Sequence, residues 1–287
     1  MKIQATELPR QANGAIYHIG ITPDQLADTV ILVGDPGRVP SISQKFDTIE
    51  MQQSNREIIT HTGTLRGNRI TVLSTGMGTD NIDIVVNELD ALANIDFDTM
   101  EVKKEHRALS LIRIGTCGIL QSDIPVNSFI ASQFGFGFDG LLQFYQHDSS
   151  SYDALVDQFI LQTGWGEKLP HPYCYPADHE LFQKIAFDMV GGITASAPGF
   201  YGPQGRVVRA AVSFPELNQK IEKFQYNGMR LTNLEMECSA VYGLGNLLGH
   251  KPLTVCVGIA NRVTKEFSAH YHPYVDKLVD TVLERVF

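Results

Sequence analysis

Hydrophobic residues along the chain follow two periodicities. Short runs of consecutive apolar, largely β-branched residues occupy 29–33, 69–74 and 111–114, each followed closely by glycine, and similar runs lie at 128–133, 192–197, 231–234 and 253–259. Runs of this length with no polar alternation suit strands buried on both faces. Between them the apolar spacing lengthens to three or four residues: in 80–93, Ile84, Val85, Leu89 and Leu92 share one helical face. Helices are also expected over 177–190, which opens on an Asp-containing turn, over 214–227 with Pro215 at its first helical position, and over 235–249 and 270–286. Strands alternating with helices predict an α/β fold whose parallel or mixed sheet is covered on both faces. No internal repeat, low-complexity tract or Pro/Ser-rich linker divides the 287 residues, so a single domain over 1–287 is expected. The charged stretch 94–108 reads as a solvated elaboration between a helix and a strand.

Composition narrows the class. With 43% hydrophobic residues the chain can fill a large core, which excludes disorder and disulfide-dependent miniature folds. Its 23 Lys+Arg against 32 Asp+Glu leave a formal charge of −9, unsuited to a general nucleic-acid or anionic-membrane binder. A few clustered arginines could still hold a small phosphate. No apolar run approaches the roughly 20 residues needed to span a bilayer. The opening MKIQATELPRQANG lacks the apolar core of a secretory leader. Cys117, Cys174, Cys238 and Cys256 form no C-x-x-C pair and read as buried free thiols, so a cytoplasmic location is expected.

Two formal motifs carry little. Residues 135–140 match G-x-G-x-x-G, but Leu141 to Gln146 show no helix start and no acidic residue follows at a strand end about 20 residues on. His171, Cys174 and His179 lie among prolines with no fourth ligand, so a turn-rich loop is expected and no metal site.

More informative are glycine-rich segments after strands. Gly34-Asp35-Pro36-Gly37-Arg38 offers backbone N–H groups that can converge on an anion, with an arginine beside them. Arg113 stands within an apolar strand that runs into Gly115-Thr116-Cys117-Gly118, read as a turn at the strand end; such a charge needs a partner. Ser74-Thr75-Gly76-Met77-Gly78 forms a third turn. Three such segments with two arginines suggest an oxyanion site.

Phe200-Tyr201-Gly202-Pro203-Gln204-Gly205-Arg206 sets an amide and a guanidinium beside an aromatic pair. Gln204 can accept from a ring N–H and donate to one carbonyl, while Arg206 donates to a second, the pattern uracil presents. Glu235-Met236-Glu237 places two carboxylates at a strand–helix junction, suited to the vicinal hydroxyls of a ribose; helix-dipole placement could account for one of them.

These segments, in this order and over nearly the whole chain from Tyr17-His18-Ile19-Gly20 onward, resemble the nucleoside phosphorylase family and most closely its uridine-cleaving branch. The resemblance implies a three-layer αβα sandwich and cleavage of uridine by inorganic phosphate to uracil and α-ribose 1-phosphate. It assigns Gly34, Arg38, Arg56, Arg113 and Thr116 to phosphate, with Arg56 reaching a neighbouring subunit's site. It assigns His18, Thr116, Met236 and Glu237 to ribose, and Phe200, Gln204, Arg206 and Arg262 to the base. Arg206, Gln204 and Arg113 are its expected catalytic groups. It also implies a homo-oligomer, a dimer or an assembly of dimers up to a hexamer, with sites shared across the interface. The partners are the nucleoside and phosphate, and no cofactor or catalytic metal is expected. Relatives can hold a monovalent cation through a glutamate matching Glu57 and a serine; this chain has Asn81 at the serine position, so the cation is not expected. Purine-cleaving relatives carry an aspartate after the late strand, where this chain reads Asn261-Arg262-Val263-Thr264-Lys265-Glu266.

Overall fold

In the first sheet strand, β1 (Thr29–Val33), neighbouring residues go to opposite sides. Val30 and Leu32 pack into one hydrophobic cluster, Ile31 and Val33 into another. That division organises the computed structural model, which describes residues 2–146 and 152–287. The remaining strands are β2 (Thr48–Asn55), β3 (Ile58–Leu65), β4 (Asn68–Ser74), β5 (Ile95–Asp96), β6 (Glu101–Val102), β7 (Ser110–Ile119), β8 (Phe129–Gly137), β9 (Tyr173–Pro176), β10 (Val190–Ser196), β11 (Gln225–Tyr226), β12 (Met229–Glu235), β13 (Lys251–Asn261) and β14 (Glu266–Phe267). The α-helices are α1 (Arg38–Ser43), α2 (Thr79–Asn94), α3 (Asp153–Thr163), α4 (His179–Ile185), α5 (Leu217–Lys223), α6 (Cys238–Leu247) and α7 (His272–Arg285).

On one face, Ile82, Val86 and Leu89 of α2 and Val241 and Leu244 of α6 cover Val30 and Leu32. On the other, α1, α4 and α7 cover Ile31, Val33 and Ile112 through Ile42, Ile185 and Val282. A third cluster joins α3 and α5 to β8, β10 and β12 around Phe136, Phe159 and Leu231. The fold is therefore the expected α/β sandwich, helices on both sides of a mixed sheet.

The sheet order is β11-β12-β10-β8-β13-β7-β1-β4-β3-β2. It is not simply open: β12 also pairs antiparallel with β7, Leu234 against Gly118, so β7, β13, β8, β10 and β12 close a ring. Register shifts in β8–β10, β10–β12 and β7–β13 supply the curvature, since a bulged strand bends and twists more strongly. Closure brings the C-terminal end of β12 against the C-terminal end of β7.

Several elements differ from their expected extent. The run at 111–114 does not end at Gly115: β7 continues to Ile119, so Gly115-Thr116-Cys117-Gly118 is strand. Its glycines answer to crowding: a Cβ on Gly115 would lie 2.5 Å from Arg113 Nη1. The 177–190 helix shrinks to α4, N-capped by Asp178, because Val190 already belongs to β10. Pro215 precedes α5 instead of starting it, with Glu216 at the N-cap. Cys174 lies in β9 and His179 opens α4, so the turn-rich loop expected there contains regular structure. In 94–108, residues 101–106 are exposed as expected, while Ile95 and Met100 of a small β5–β6 hairpin are buried. All four cysteines are free and buried. Among the described residues no helix is long and apolar enough to cross a membrane.

Candidate active site

Arg113 is 4% exposed at the middle of β7. Its guanidinium meets both carboxylates that β12 delivers: Nη1 lies 3.1 Å from Glu235 Oε2, and Nη2 donates a short hydrogen bond to Glu237 Oε2. Burial opposes its charge, but Glu237 and Glu235 outweigh that and hold its pKa above the ordinary arginine value. Glu235 is saturated with donors: the N–H groups of Glu237 and Cys238, at the head of α6, and the Ser196 hydroxyl. Glu237 Oε1 accepts the Gly78 N–H at 2.9 Å, tying β12 to the turn before α2. The two acids thus have internal partners without any ligand. Burial nevertheless pushes the Glu235 carboxyl up to about 7, with Arg113 opposing and Glu237 adding to the rise.

The glycine turns gather beside this cluster. The Gly34 turn approaches the Gly76 turn closely enough that a Cβ on Gly34 would lie 3.4 Å from the Gly76 carbonyl. Within the Gly34 segment the Gly37 N–H already donates to Asp35 Oδ1 and those of Arg38 and Val39 to backbone carbonyls, leaving Gly34 and Asp35 to offer theirs. Arg38 opens α1, half-buried, and its guanidinium has no hydrogen-bond partner among the described residues. Thr116 and Met236 are likewise half-buried.

Gln204 is buried and Arg206 half-buried, and they join directly: Arg206 Nη1 donates to Gln204 Oε1 at 2.6 Å. The Arg206 guanidinium also lies 3.7 Å from the centre of the Phe200 ring, so one face of Phe200 is already covered. What the pair leaves open is chiefly donor capacity, the Gln204 amide N–H and the remaining guanidinium N–H groups. Arg262 follows β13 with its stem against Gly118, and its Nη1 is buried without a partner among the described residues. Burial and the nearby Arg206 charge lower Arg262 to about 10. Arg262 thus packs against the Arg113 strand and lies near enough to Arg206 for the two charges to repel.

His18 and Arg56 stand apart. His18 Nδ1 lies 2.6 Å from Glu88 Oε1, and the same carboxylate accepts the His18 and Ile19 N–H groups. Arg56, at the tip of the β2–β3 hairpin, donates to the Tyr17 hydroxyl and stacks over its ring at 5.2 Å. Glu88 sits ten residues beyond Gly78 along α2, an axial separation of about 15 Å at 1.5 Å per residue. His18 is therefore anchored well along α2 from the turn that meets Glu237.

Gly78, Ser196, Glu88 and Tyr17 were not legible as partners, because each is sequence-distant from the group it holds. The same is true of Asp139, whose carboxyl pKa is raised by burial and which accepts from the distant Tyr173 and Ser239 hydroxyls at the base of α6 as well as from the neighbouring Leu141 N–H. Among the described residues one set has metal-ligand proximity, Asp90, His106 and His250. His250 Nδ1 accepts the Leu109 N–H, so the ring proton belongs on Nε2, which lies 3.3 Å from Asp90 Oδ1 without forming a hydrogen bond to it. A cation there would have to displace that proton, so the donor set does not suit one.

The model of the phosphorylase superfamily matches residues 28–284. The chain belongs to this family. The phosphorylase is 32% identical over 272 residues, 93% of this chain and 84% of the relative, to a uridine phosphorylase of Thermococcus kodakarensis. It is 28% identical over 250 residues, 87% of this chain and 88% of the relative, to a DeoD-type purine nucleoside phosphorylase of Oceanobacillus iheyensis. Among solved structures it resembles a Trypanosoma brucei nucleoside phosphorylase described as showing uridine phosphorylase activity, with TM-score 0.88 and 31% identity over 97% of this chain and 98% of that one. The nucleoside phosphorylase reading of the sequence stands, and with it a pentosyltransferase enzyme.

Proposed function

We propose that this phosphorylase cleaves uridine, with deoxyuridine as a further candidate, by inorganic phosphate to uracil and α-ribose 1-phosphate. The observation that carries the reading is the donor set of Gln204, Arg206 and Arg262, which brings two guanidiniums and an amide together. As the C1′–N1 bond breaks, its electron pair moves into the ring and onto the carbonyl oxygens. These donors stabilise that charge before N1 takes the proton released by phosphate. Phosphate forms the new C1′–O bond and needs no protein base. Gly34, Arg38, Arg113 and Thr116 would hold it, its own charge supporting the cationic sugar. Met236 and Glu237 would take ribose hydroxyls, Thr116 lying close to the sugar, and Phe200 would flank the base.

In this reading His18 and Arg56, anchored on Glu88 and Tyr17, act in a neighbouring subunit's site. The working unit is then a homo-oligomer, a dimer or an assembly of dimers, that uses no cofactor. Buried free thiols fit a reducing, cytoplasmic setting. Purine cleavage is the second reading, supported by the purine-type relatives. Against it, the stretch Asn261-Arg262-Val263-Thr264-Lys265-Glu266 carries no aspartate to protonate a purine, and the Asn261 side chain is committed to Gln121, Ile124, Val263 and Thr264. The test is a panel of purine and pyrimidine nucleosides assayed for base release with and without phosphate. Phosphate-dependent uracil release supports the reading; release without phosphate, or from purines alone, overturns it.

A further inference from the structure

Residues 207–213, immediately after Arg206, make no hydrogen bond through backbone or side chain to any described residue. Within this stretch Val207 and Val208 are 61% and 79% exposed. Residues 208–213 also border a cavity of about 410 Å³ whose other walls include Phe138, Trp165, Leu169 and Phe214, together with Tyr201 and Arg206 from the base-reading loop. An untethered strap with exposed valines thus lies over unfilled apolar space. Moving Val208 inward breaks no hydrogen bond and removes apolar surface from water.

Arg206 links this strap to chemistry. Its guanidinium faces Gln204 and Phe200 on one side, and the residue lines the cavity on the other. With the strap outward, water competes for the guanidinium. With the strap inward, water is displaced and a bond from Arg206 to a carbonyl oxygen strengthens. A base therefore binds the inward arrangement better, which is the differential affinity a ligand needs to shift the equilibrium.

We propose that residues 207–213 are a strap that closes into this cavity when a base occupies Gln204 and Arg206. The inference rests on the functional reading above. Trp165, the only tryptophan in the chain, lines the cavity and reports on it directly. Arg209 sits exposed in the untethered strap, open to trypsin.

The experiment measures uracil binding by calorimetry, then Trp165 emission and the rate of tryptic cleavage after Arg209 at saturating uracil. Closure predicts an emission shift and cleavage slowed about tenfold or more, as for a segment moved from an open to a packed state. Val208→Asp, at an exposed position, should abolish both responses and raise KM for uridine, while Val208→Ile retains them. Uracil binding that leaves emission and cleavage unchanged overturns the strap alone. Failure of uracil to bind overturns the base-site reading and the strap with it.

Discussion

Arg113 and Glu237 are ion-paired in the interior although 124 residues separate them in sequence. The pair joins the strand expected to serve phosphate to the carboxylate expected to serve ribose, so the two subsites share one electrostatic unit. Removing Arg113 would leave Glu235 and Glu237 buried against each other. Arg113→Ala should therefore cost about 3–5 kcal/mol of stability, measured by urea unfolding, besides abolishing phosphorolysis. An unfolding midpoint equal to wild type would show that the pair is dispensable.

The same cluster gives a pH dependence. Glu235 is raised by burial from 4.5 to about 7. A carboxyl whose folded pKa exceeds its unfolded value contributes stability at low pH and loses that contribution as pH rises through the folded pKa. Wild type should therefore lose stability relative to Glu235→Gln between pH 4.5 and about 7. Parallel stability–pH curves for the two proteins would contradict this.

Gly115 shares its face of β7 with the Arg113 guanidinium, and a Cβ there would lie 2.5 Å from Nη1. Gly115→Ala should displace Arg113 from Glu237, raising KM for phosphate more than KM for the nucleoside. Unaltered phosphate kinetics would place the guanidinium elsewhere.

Arg206→Leu should lower kcat/KM for uridine by about 10²-fold or more, the usual loss of a donor to developing charge. Because Arg206 is half-buried at a loop, thermal stability should change little. Near-wild-type turnover would remove it from the leaving-group site.

Arg56→Ala tests shared sites. Arg56 is exposed, so folding should be preserved while phosphate use weakens. Mixing subunits of Arg56→Ala with subunits of Arg206→Leu should restore activity, because a mixed dimer contains one site with both residues intact. Absence of restored activity after confirmed subunit exchange would argue that each chain completes its own site.

Local patterns reached far into this fold. The apolar run at 29–33 is β1, and the spacing of Val85, Leu89 and Leu92 yields the buried face of α2. They succeeded because strand and helix periodicity are properties of neighbouring residues. The glycines of β7 look like a turn for the same reason: what they accommodate, the Arg113 side chain and the stem of Arg262, is invisible to a reading of neighbours.

The sequence by itself determined the α/β class, the family motifs, and which residue types stand ready for phosphate, sugar and base. Only the tertiary structure decided their partners. Ring closure through β12 and β7 places Glu235 and Glu237 on Arg113, and α2 holds His18 through Glu88. The physical reason is that chemistry resides in residue types, whereas charge compensation depends on distance, and distance between remote segments exists only once the sheet has closed.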